Sequence, residues 1–163
     1  MTVLTTLDIG SGCRPKGDIN IDLPQRLRPN FKPVAKRPNF IEADLYHLPF
    51  RDNCFEHLFC SHVLEHLTDP MRALREMKRV KSPKGQLEIW TPSLYEITSS
   101  TEHIFSWSER HLYNLLSLVF EQVHTRYTMT GTIIRGRLGI YFSFLNLVLS
   151  RLGIKKELYA LVR

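Results

Sequence analysis

The chain has 163 residues, of which 43% are hydrophobic and 23% are charged. This composition suits one folded domain and excludes an intrinsically disordered chain. The three cysteines, Cys13, Cys54 and Cys60, show no C-x-x-C spacing, which argues against a disulfide framework and for a reducing compartment. The amino-terminal segment MTVLTTLDIG has neither the basic leader nor the apolar run of a signal peptide, so we expect a cytoplasmic protein.

The net charge of +6 is unevenly distributed along the chain. Residues 25–37 hold five basic side chains and no acid, residues 71–84 hold six basic side chains and one acid, and the segment from Arg126 onward is also basic. A positive face can attract phosphates or acidic partners. No nucleic-acid-binding motif accompanies the charge, so a nucleic acid and a small molecule both stay open as the binding partner.

Strand and helix signals alternate along the first two-thirds of the chain. The Pro-rich segment 24–38 cannot form a regular helix, because four prolines interrupt it. Runs of apolar and β-branched residues bounded by turn residues predict strands. These runs lie at residues 2–9, 19–23, 39–45, 55–62, 86–92, 121–129 and 157–163.

Two helix starts are indicated by their capping residues. Asp69 followed by Pro70 is a typical N-cap with proline at the first helical position, and SPKG at 82–85 is expected to end that helix. Ser106 to Glu109 has the S-x-x-E form of a capping box. It predicts an amphipathic helix whose apolar face carries Leu112, Leu115, Leu116 and Val119.

The alternation of strands and helices predicts an α/β protein with a sheet covered on both faces. In such sheets a ligand lies at the carboxyl ends of the strands, near the switch in strand order. We therefore expect the functional site where GSGCRP, Asp22, Asp44 and Ser61–His62 leave their strands.

The stretch LDIGSGCRPKGDINIDL at residues 7–23 favours a nucleoside-containing ligand. Glycines after a strand let the backbone approach a ligand, and a carboxylate such as Asp22 at the end of the next strand can accept hydrogen bonds from a ribose diol. The third glycine of a dinucleotide fingerprint is missing, and Asp22 comes too early for an intervening helix. A pyrophosphate cradle is therefore not indicated.

Several segments taken together resemble one family. LDIGSG, INIDL, EADLYHLPFRDNCFEHLFCSHVLEHLTDP and RVKSPKGQLEIWTPS have the order and spacing found in class I S-adenosylmethionine-dependent methyltransferases, over about residues 3–127. The resemblance implies a Rossmann-like three-layer sandwich, with a mostly parallel seven-stranded sheet whose last strand is antiparallel. It also implies S-adenosylmethionine as the cofactor and methyl transfer to an acceptor that the sequence does not identify.

The resemblance assigns cofactor-binding roles to individual residues. The glycine turn would lie against the methionine part and the ribose, Asp22 would hold the ribose hydroxyls, and Asp44 would accept from the adenine amino group with Leu45 against the ring. The full set of implied cofactor-binding residues is Asp8, Gly10, Ser11, Gly12, Asp22, Leu23, Asp44, Leu45, Ser61 and His62.

The chain departs from the family pattern mainly in two places. Only CRPKGDIN separates Gly12 from the second strand, so the first crossover helix is expected to shrink to a turn. The second departure is an insertion of residues 128–157 between the last two strands. We expect the whole chain, residues 1–163, to form a single domain. For the apolar part of the insertion, residues 138–152, core packing, a lid, a homodimer face and a membrane-surface helix are the alternatives. It is too short and too flanked by arginine to predict a transmembrane span.

His62 is the predicted catalytic base, because it follows the fourth strand and its ordinary pKa suits proton removal at neutral pH. The loop after the fifth strand commonly contacts substrate in this fold. Its predicted substrate-side residues are Tyr95, His103 and Trp107.

Two other functions compete with the enzyme hypothesis. His62-Val-Leu-Glu65-His66 matches the H-x-x-E-H form of a zinc hydrolase, although the first histidine falls where a strand ends, and we expect no metal site. The shortened crossover and basic surface also fit a non-catalytic module that binds the cofactor as a partner subunit of a larger enzyme.

Overall fold

The computed structural model describes residues 4–24, 39–94, 102–129 and 156–163. Within these ranges it contains seven strands and two α-helices. In chain order they are β1 Leu4–Ile9, β2 Ile19–Asp22, β3 Phe40–Glu42, β4 Phe55–Ser61, α1 Pro70–Val80, β5 Lys81–Pro92, α2 Glu109–Ser117, β6 Val123–Met129 and β7 Lys156–Val162.

The strands form one sheet in the order β3-β2-β1-β4-β5-β7-β6. Neighbours from β3 to β5 are parallel, and β7 runs antiparallel to both β5 and β6. This is the predicted Rossmann-like fold with an antiparallel last strand. The strand order reverses at β1, whose residue Ile9 pairs with Ile21 on one side and Cys60 on the other. The crevice expected for a ligand therefore opens between the carboxyl ends of β1, β2 and β4.

The central strands are apolar because both faces of the sheet are covered. Leu7, Ile9 and Ile21 of β1 and β2 are almost fully buried. Each such side chain stabilises the fold by about 1.5–3 kcal/mol relative to exposure. The helices contribute buried residues at helical spacing, which are Ala73, Leu74, Met77 and Val80 in α1 and Leu112 and Leu116 in α2.

The start of α1 is as predicted. The Asp69 side chain accepts a hydrogen bond from the backbone N–H of Arg72 at 3.0 Å, and Pro70 occupies the first helical position. The helix ends at Val80, before the SPKG segment. Residues 82–85 instead belong to the irregular first part of β5, where Lys81 turns inward and its Nζ donates to the backbone oxygens of Ser82 and Gly85. The strand thus begins five residues earlier than the predicted start at Gln86.

The predicted start of the second helix at Ser106 is wrong by two residues. The N-cap is Ser108, whose side chain accepts from the backbone N–H of His111 at 3.2 Å. Trp107 forms a β-bridge with Ser93, and its carbonyl accepts from the N–H of Leu94. This pairing keeps residue 107 extended, so the helix cannot begin before Ser108.

The first crossover contains no helix, as the sequence indicated. The connection from Ile9 to Ile19 is a series of turns and bends. Gly17 lies so close to β1 that an added Cβ would be 2.7 Å from the backbone nitrogen of Asp8. Asp18 accepts from the N–H of Thr6 at 2.9 Å, which fixes the end of the connection to the same strand.

The predicted insertion at 128–157 begins in β6 and ends in β7, and residues 130–155 lie outside the described residues. In the part of the chain that the structure describes, no helix has the length and apolar character needed to cross a membrane. Cys13, Cys54 and Cys60 are free thiols.

Candidate active site

The glycine turn after β1 closes against the end of β2. The backbone N–H groups of Gly10 and Ser11 both donate to the carbonyl of Ile21, at 2.9 and 3.0 Å. Gly10 and Gly12 have φ values of +68° and +54°, which side chains other than glycine rarely adopt. A Cβ on Gly10 would lie 2.3 Å from Cγ2 of Val63, whereas one on Gly12 would meet no atom within 4 Å. Gly10 is thus required by packing, and Gly12 faces open space.

Asp22 links this turn to the end of β2. Its buried carboxylate accepts hydrogen bonds from the N–H groups of Gly12 and Leu23, both at 2.8 Å. These bonds fix the orientation of the carboxylate, and each of its oxygens has a further lone pair. A ligand with two hydroxyl groups beside Gly12 could therefore donate to the Asp22 carboxylate, whose orientation is already fixed.

Two other polar side chains lie beneath the turn. Asp8 is buried and accepts from the N–H of Lys16 at 2.7 Å, and burial raises the pKa of its carboxyl group. The Oγ of Ser11 is also buried, and within the described ranges it has no hydrogen-bond partner. An unsatisfied buried hydroxyl is costly, so this atom is suited to a polar group of a ligand.

Asp44 and Leu45 lie beyond β3, where the backbone turns toward Asp22. The carbonyl of Asp22 accepts from the N–H of Ala43 at 3.0 Å. One oxygen of Asp44 accepts from the N–H of Tyr46 at 2.9 Å, and the side chain is about half exposed. Leu45 is buried, whereas Leu23 is exposed. The structure therefore brings an available carboxylate and an apolar side chain to the same edge of the sheet as Asp22.

The loop that follows Asp44 is held by the guanidinium of Arg79 in α1. Arg79 donates to both carboxylate oxygens of Glu76, to Asp52 and to the carbonyls of Leu48 and Phe50, at 2.8–3.0 Å. Glu76 also accepts from the N–H of Leu48 at 3.0 Å. The hydrogen bond from Arg79 holds the pKa of Glu76 below its usual value. The network fixes the backbone between Leu48 and Asp52, which leads from β3 to β4.

His62, the predicted base, lies between two carboxylates. It follows Ser61 at the end of β4 with a φ of +56°. Its Nε2 lies 3.1 Å from an oxygen of Glu157 and its Nδ1 lies 3.4 Å from an oxygen of Glu65. The carboxylates of Glu157 and then Glu65 raise the pKa of His62 to about 10. The raised pKa favours the protonated ring at neutral pH, which argues against proton removal by His62, and its role as a base stays a prediction.

The H-x-x-E-H motif does not form a zinc-hydrolase helix. Only Leu64–His66 is helical, as a single 3-10 turn, and His62 lies outside it. Among the described residues, the set of possible metal ligands that come together is Glu65, His66 and His103, without His62. His62 instead lies beside Glu157, with its Nε2 3.1 Å from a carboxylate oxygen.

The predicted substrate-side residues have different surroundings. His103 lies with its ring centroid 4.9 Å from that of His66. Trp107 is only 7% exposed and stacks on Phe105 with a centroid distance of 5.3 Å, so it mainly supports the segment that it belongs to. Tyr95 lies outside the described residues.

Sequence reasoning missed Glu157 and Val63. Glu157 is a buried acid of β7 and contacts His62, 95 positions earlier in the chain. No local sequence pattern predicts this pair. The close contact between Gly10 and Val63 likewise depends on the folded structure and cannot be predicted from the sequence. A buried acid at the start of an otherwise apolar strand is the one available signal for Glu157.

A cavity of about 500 Å³ lies away from this site. Its lining includes Lys78, Lys81, Lys84 and Arg163. Lys81 pairs with Phe55 at the beginning of β4, so the cavity lies at the amino ends of the strands. The basic stretch 71–84 therefore contributes to a surface remote from the glycine turn.

The fold and the crevice define a class of protein. A parallel sheet with a reversal in strand order, a glycine turn with open space at Gly12 and a fixed carboxylate at Asp22 are the arrangement expected of a Rossmann-like nucleoside-binding domain.

Comparison with known proteins finds similarity to methyltransferases over part of the chain. Residues 18–89 match the family described as a methyltransferase domain. A methyltransferase of ubiquinone and menaquinone biosynthesis from Haemophilus ducreyi is 32% identical over 77 residues, which are 46% of this chain and 30% of the relative. The malonyl-[acyl-carrier protein] O-methyltransferase of Halorhodospira halophila is 41% identical over 61 residues, 37% of this chain and 20% of the relative. Over residues 18–89, less than half of its length, the chain thus resembles a methyltransferase domain.

Solved structures agree in fold at low sequence identity. A SAM-dependent methyltransferase from Archaeoglobus fulgidus superposes with a TM-score of 0.64 at 15% identity, over 97% of this chain and 85% of the other. The [4+2]-cyclase SpnF superposes with a TM-score of 0.62 at 17% identity, over 98% and 75% of the two chains. The curated relatives above are matched over less than a third of their own length. The fold is thus shared, and the fold alone does not specify the reaction.

Proposed function

We propose that this chain binds S-adenosylmethionine in the crevice between β1, β2 and β4 and transfers its methyl group to a small organic acceptor. The observation that carries the proposal is the hydrogen bond from Gly12 N–H to the Asp22 carboxylate. It places an oriented pair of acceptor oxygens beside open space at the turn. A ribose diol matches this arrangement in polarity, because its two hydroxyl groups can donate to the two oxygens.

The residues present fit the rest of the cofactor. The buried hydroxyl of Ser11 would gain a polar partner, and the Asp44 carboxylate would accept from the adenine amino group while Leu45 packs against the ring. Asp8 would support the turn from below through its bond to Lys16. The remaining proposed cofactor contacts come from the ends of strands and from the turn itself, at Gly10, Leu23, Ser61 and His62.

The bound cofactor supplies an activated methyl group on a sulfonium, so the protein need only align a nucleophile with it and exclude water. Ser61 and His62 end β4 at the place proposed for that methyl group. The segment 102–107 lies next to them, because the N–H groups of Ile104 and Phe105 both donate to the carbonyl of Glu65. We infer that the acceptor approaches between these two parts of the chain.

A small acceptor is favoured over a nucleic acid. Lys78, Lys81 and Lys84 of the basic stretch 71–84 line the cavity at the end of the sheet remote from the crevice, whereas Arg72 lies over the ring of Tyr46. The segment beside the crevice is instead rich in aromatic and apolar side chains, including Phe105, Trp107 and Ile104. Relatives named for quinone biosynthesis make quinol-type acceptors a sensible first choice.

Calorimetry with S-adenosylmethionine tests the binding step. Replacing Asp22 with Ala should weaken binding by about 1–3 kcal/mol, because charge-assisted hydrogen bonds to the ribose are lost. Asp18→Ala is the matched control, since it also removes an acceptor of a backbone N–H but lies at the start of β2, away from the crevice. Equal affinities of the two variants would contradict the ribose assignment.

A radiolabelled-methyl assay over quinols and small carboxylic acids tests the transfer step. Transfer that depends on Asp22 would support an enzyme. Tight cofactor binding without transfer to any acceptor would favour the alternative of a non-catalytic cofactor-binding subunit.

A further inference from the structure

Glu65 is a buried carboxylate that the methyl-transfer proposal does not use. The residue is 1% exposed. One oxygen, Oε2, accepts a hydrogen bond from the hydroxyl of Thr91 at 3.1 Å. The other oxygen, Oε1, has no hydrogen bond within the described ranges, and its nearest cationic neighbour is the ring of His62 at 3.4 Å. A buried charge without its full set of partners is unfavourable and needs an explanation.

Two histidines lie beside this carboxylate. Glu65, His66 and His103 each present a possible ligand atom, and the three atoms all lie within 4.8 Å of one another. The backbone holds the three residues together, because Glu65 accepts from the N–H of Ile104, directly after His103. Ligand atoms of a tetrahedral zinc site lie about 3.4 Å apart, so small rotations of the two partly buried rings would complete the geometry.

The surrounding bonds are those that ligand side chains commonly have. Nδ1 of His66 lies 3.1 Å from the carbonyl oxygen of Glu102. A carbonyl can only accept, so in the neutral ring the proton is on Nδ1 and the lone pair on Nε2. Histidine ligands typically donate their second ring N–H to a carbonyl or carboxylate in this way, and ligating carboxylates are themselves hydrogen-bonded, as Glu65 is by Thr91.

We propose that Glu65, His66 and His103 bind one divalent zinc-type ion. Two imidazoles and one carboxylate form a donor set that suits zinc, with a fourth position for water. The ion joins the 3-10 turn Leu64–His66 to the segment 102–107 and so fixes the acceptor side of the crevice. His103 is then a metal ligand and not a direct contact of the acceptor.

The proposal does not depend on methyl transfer, and its test is metal binding in the absence of cofactor. The full chain is stripped with a chelator and titrated with zinc by calorimetry, and with Co²⁺ while visible absorption is recorded. One ion per chain and the intense absorption bands of four-coordinate cobalt are expected. A stoichiometry below one half, or the weak spectrum of six-coordinate cobalt, would overturn the site.

Variants separate this site from adventitious binding to histidine. His103→Ala should weaken zinc binding at least about 100-fold, since removal of a ligand should cost no less than loss of an outer-shell partner. His111→Ala, an exposed histidine on α2, should bind within about threefold of the original chain. Equal loss in the two variants would refute the assignment.

The variant His103→Cys distinguishes loss of a zinc ligand from misfolding, because it replaces one zinc-binding side chain by another. It should restore binding to within about tenfold of the original chain. Failure of the folded Cys variant to bind zinc better than His103→Ala would count against the site. Cofactor affinity is measured separately in the chelated protein, so a negative zinc result leaves the proposed function intact and a negative cofactor result leaves the metal site intact.

Discussion

Gly10 and Gly12 have nearly the same backbone conformation but different surroundings, which allows their two roles to be measured separately. Both have positive φ, so an alanine at either position costs about 1–2 kcal/mol in backbone strain. At Gly10 the new Cβ would also lie 2.3 Å from Cγ2 of Val63, and overpacking of this kind costs a further 1–3 kcal/mol or so. We expect Gly10→Ala to lower the free energy of unfolding by roughly 2–5 kcal/mol. Gly12→Ala should lower it by no more than about 2 kcal/mol.

Urea denaturation followed by tryptophan fluorescence measures both values, and equal m-values would show that the unfolded reference is unchanged. The double variant Gly10→Ala with Val63→Ala should recover the overlap part of the loss, giving a favourable coupling of about 1–3 kcal/mol. Equal destabilisation by the two glycine changes, or a coupling near zero, would refute the packing argument. Gly12→Ala should instead weaken S-adenosylmethionine binding more than about tenfold in a folded protein, because its Cβ enters the space proposed for the cofactor.

Two further changes test contacts away from the turn. Asp69→Ala removes the N-cap of α1 and should cost about 1 kcal/mol in urea denaturation, and an unchanged midpoint would contradict the capping role. Arg79→Met should cost roughly 2 kcal/mol at pH 7, because it breaks hydrogen bonds to Glu76 and to two loop carbonyls. Arg79 lowers the pKa of Glu76 in the folded state, so this stabilisation is complete above the ordinary value of 4.5 and is lost as pH falls through the folded-state pKa. The difference between the original chain and the variant should therefore shrink in acid, and a constant difference from neutral pH down to about pH 3 would contradict the linkage.

The sheet was predictable because its signals are local and strong. Buried strands of a parallel sheet are nearly continuous apolar runs, and each of the seven runs overlaps an observed strand. The start of α1 was predictable for the same reason, since Asp69 and Pro70 act on the adjacent backbone. The candidate cofactor residues could be located because parallel strands end at one edge, so residues that follow β1, β2 and β4 come together.

The errors arise where distant contacts decide the local structure. Ser106 has a good capping sequence, but the bridge between Trp107 and Ser93 holds the chain extended until Ser108. His62 has an ordinary base-like pKa in isolation, and the carboxylate of Glu157 from the last strand raises that pKa. Neither effect is encoded within a short window of sequence, because each depends on which strand the topology places alongside.

The short first crossover explains why so much of the proposed cofactor recognition depends on Asp22. A parallel crossover usually contains a helix of a dozen or more residues, whose N-terminus offers N–H groups and a positive dipole to a ligand. Here the connection is held instead by polar contacts, since Asp8 and Asp18 accept backbone N–H groups and Gly17 exchanges two hydrogen bonds with Asn20. These contacts fix the turn but supply no helix dipole to the crevice. The open side of the turn therefore offers glycine backbone and space, and the buried Asp22 carboxylate is the charged group fixed beside it.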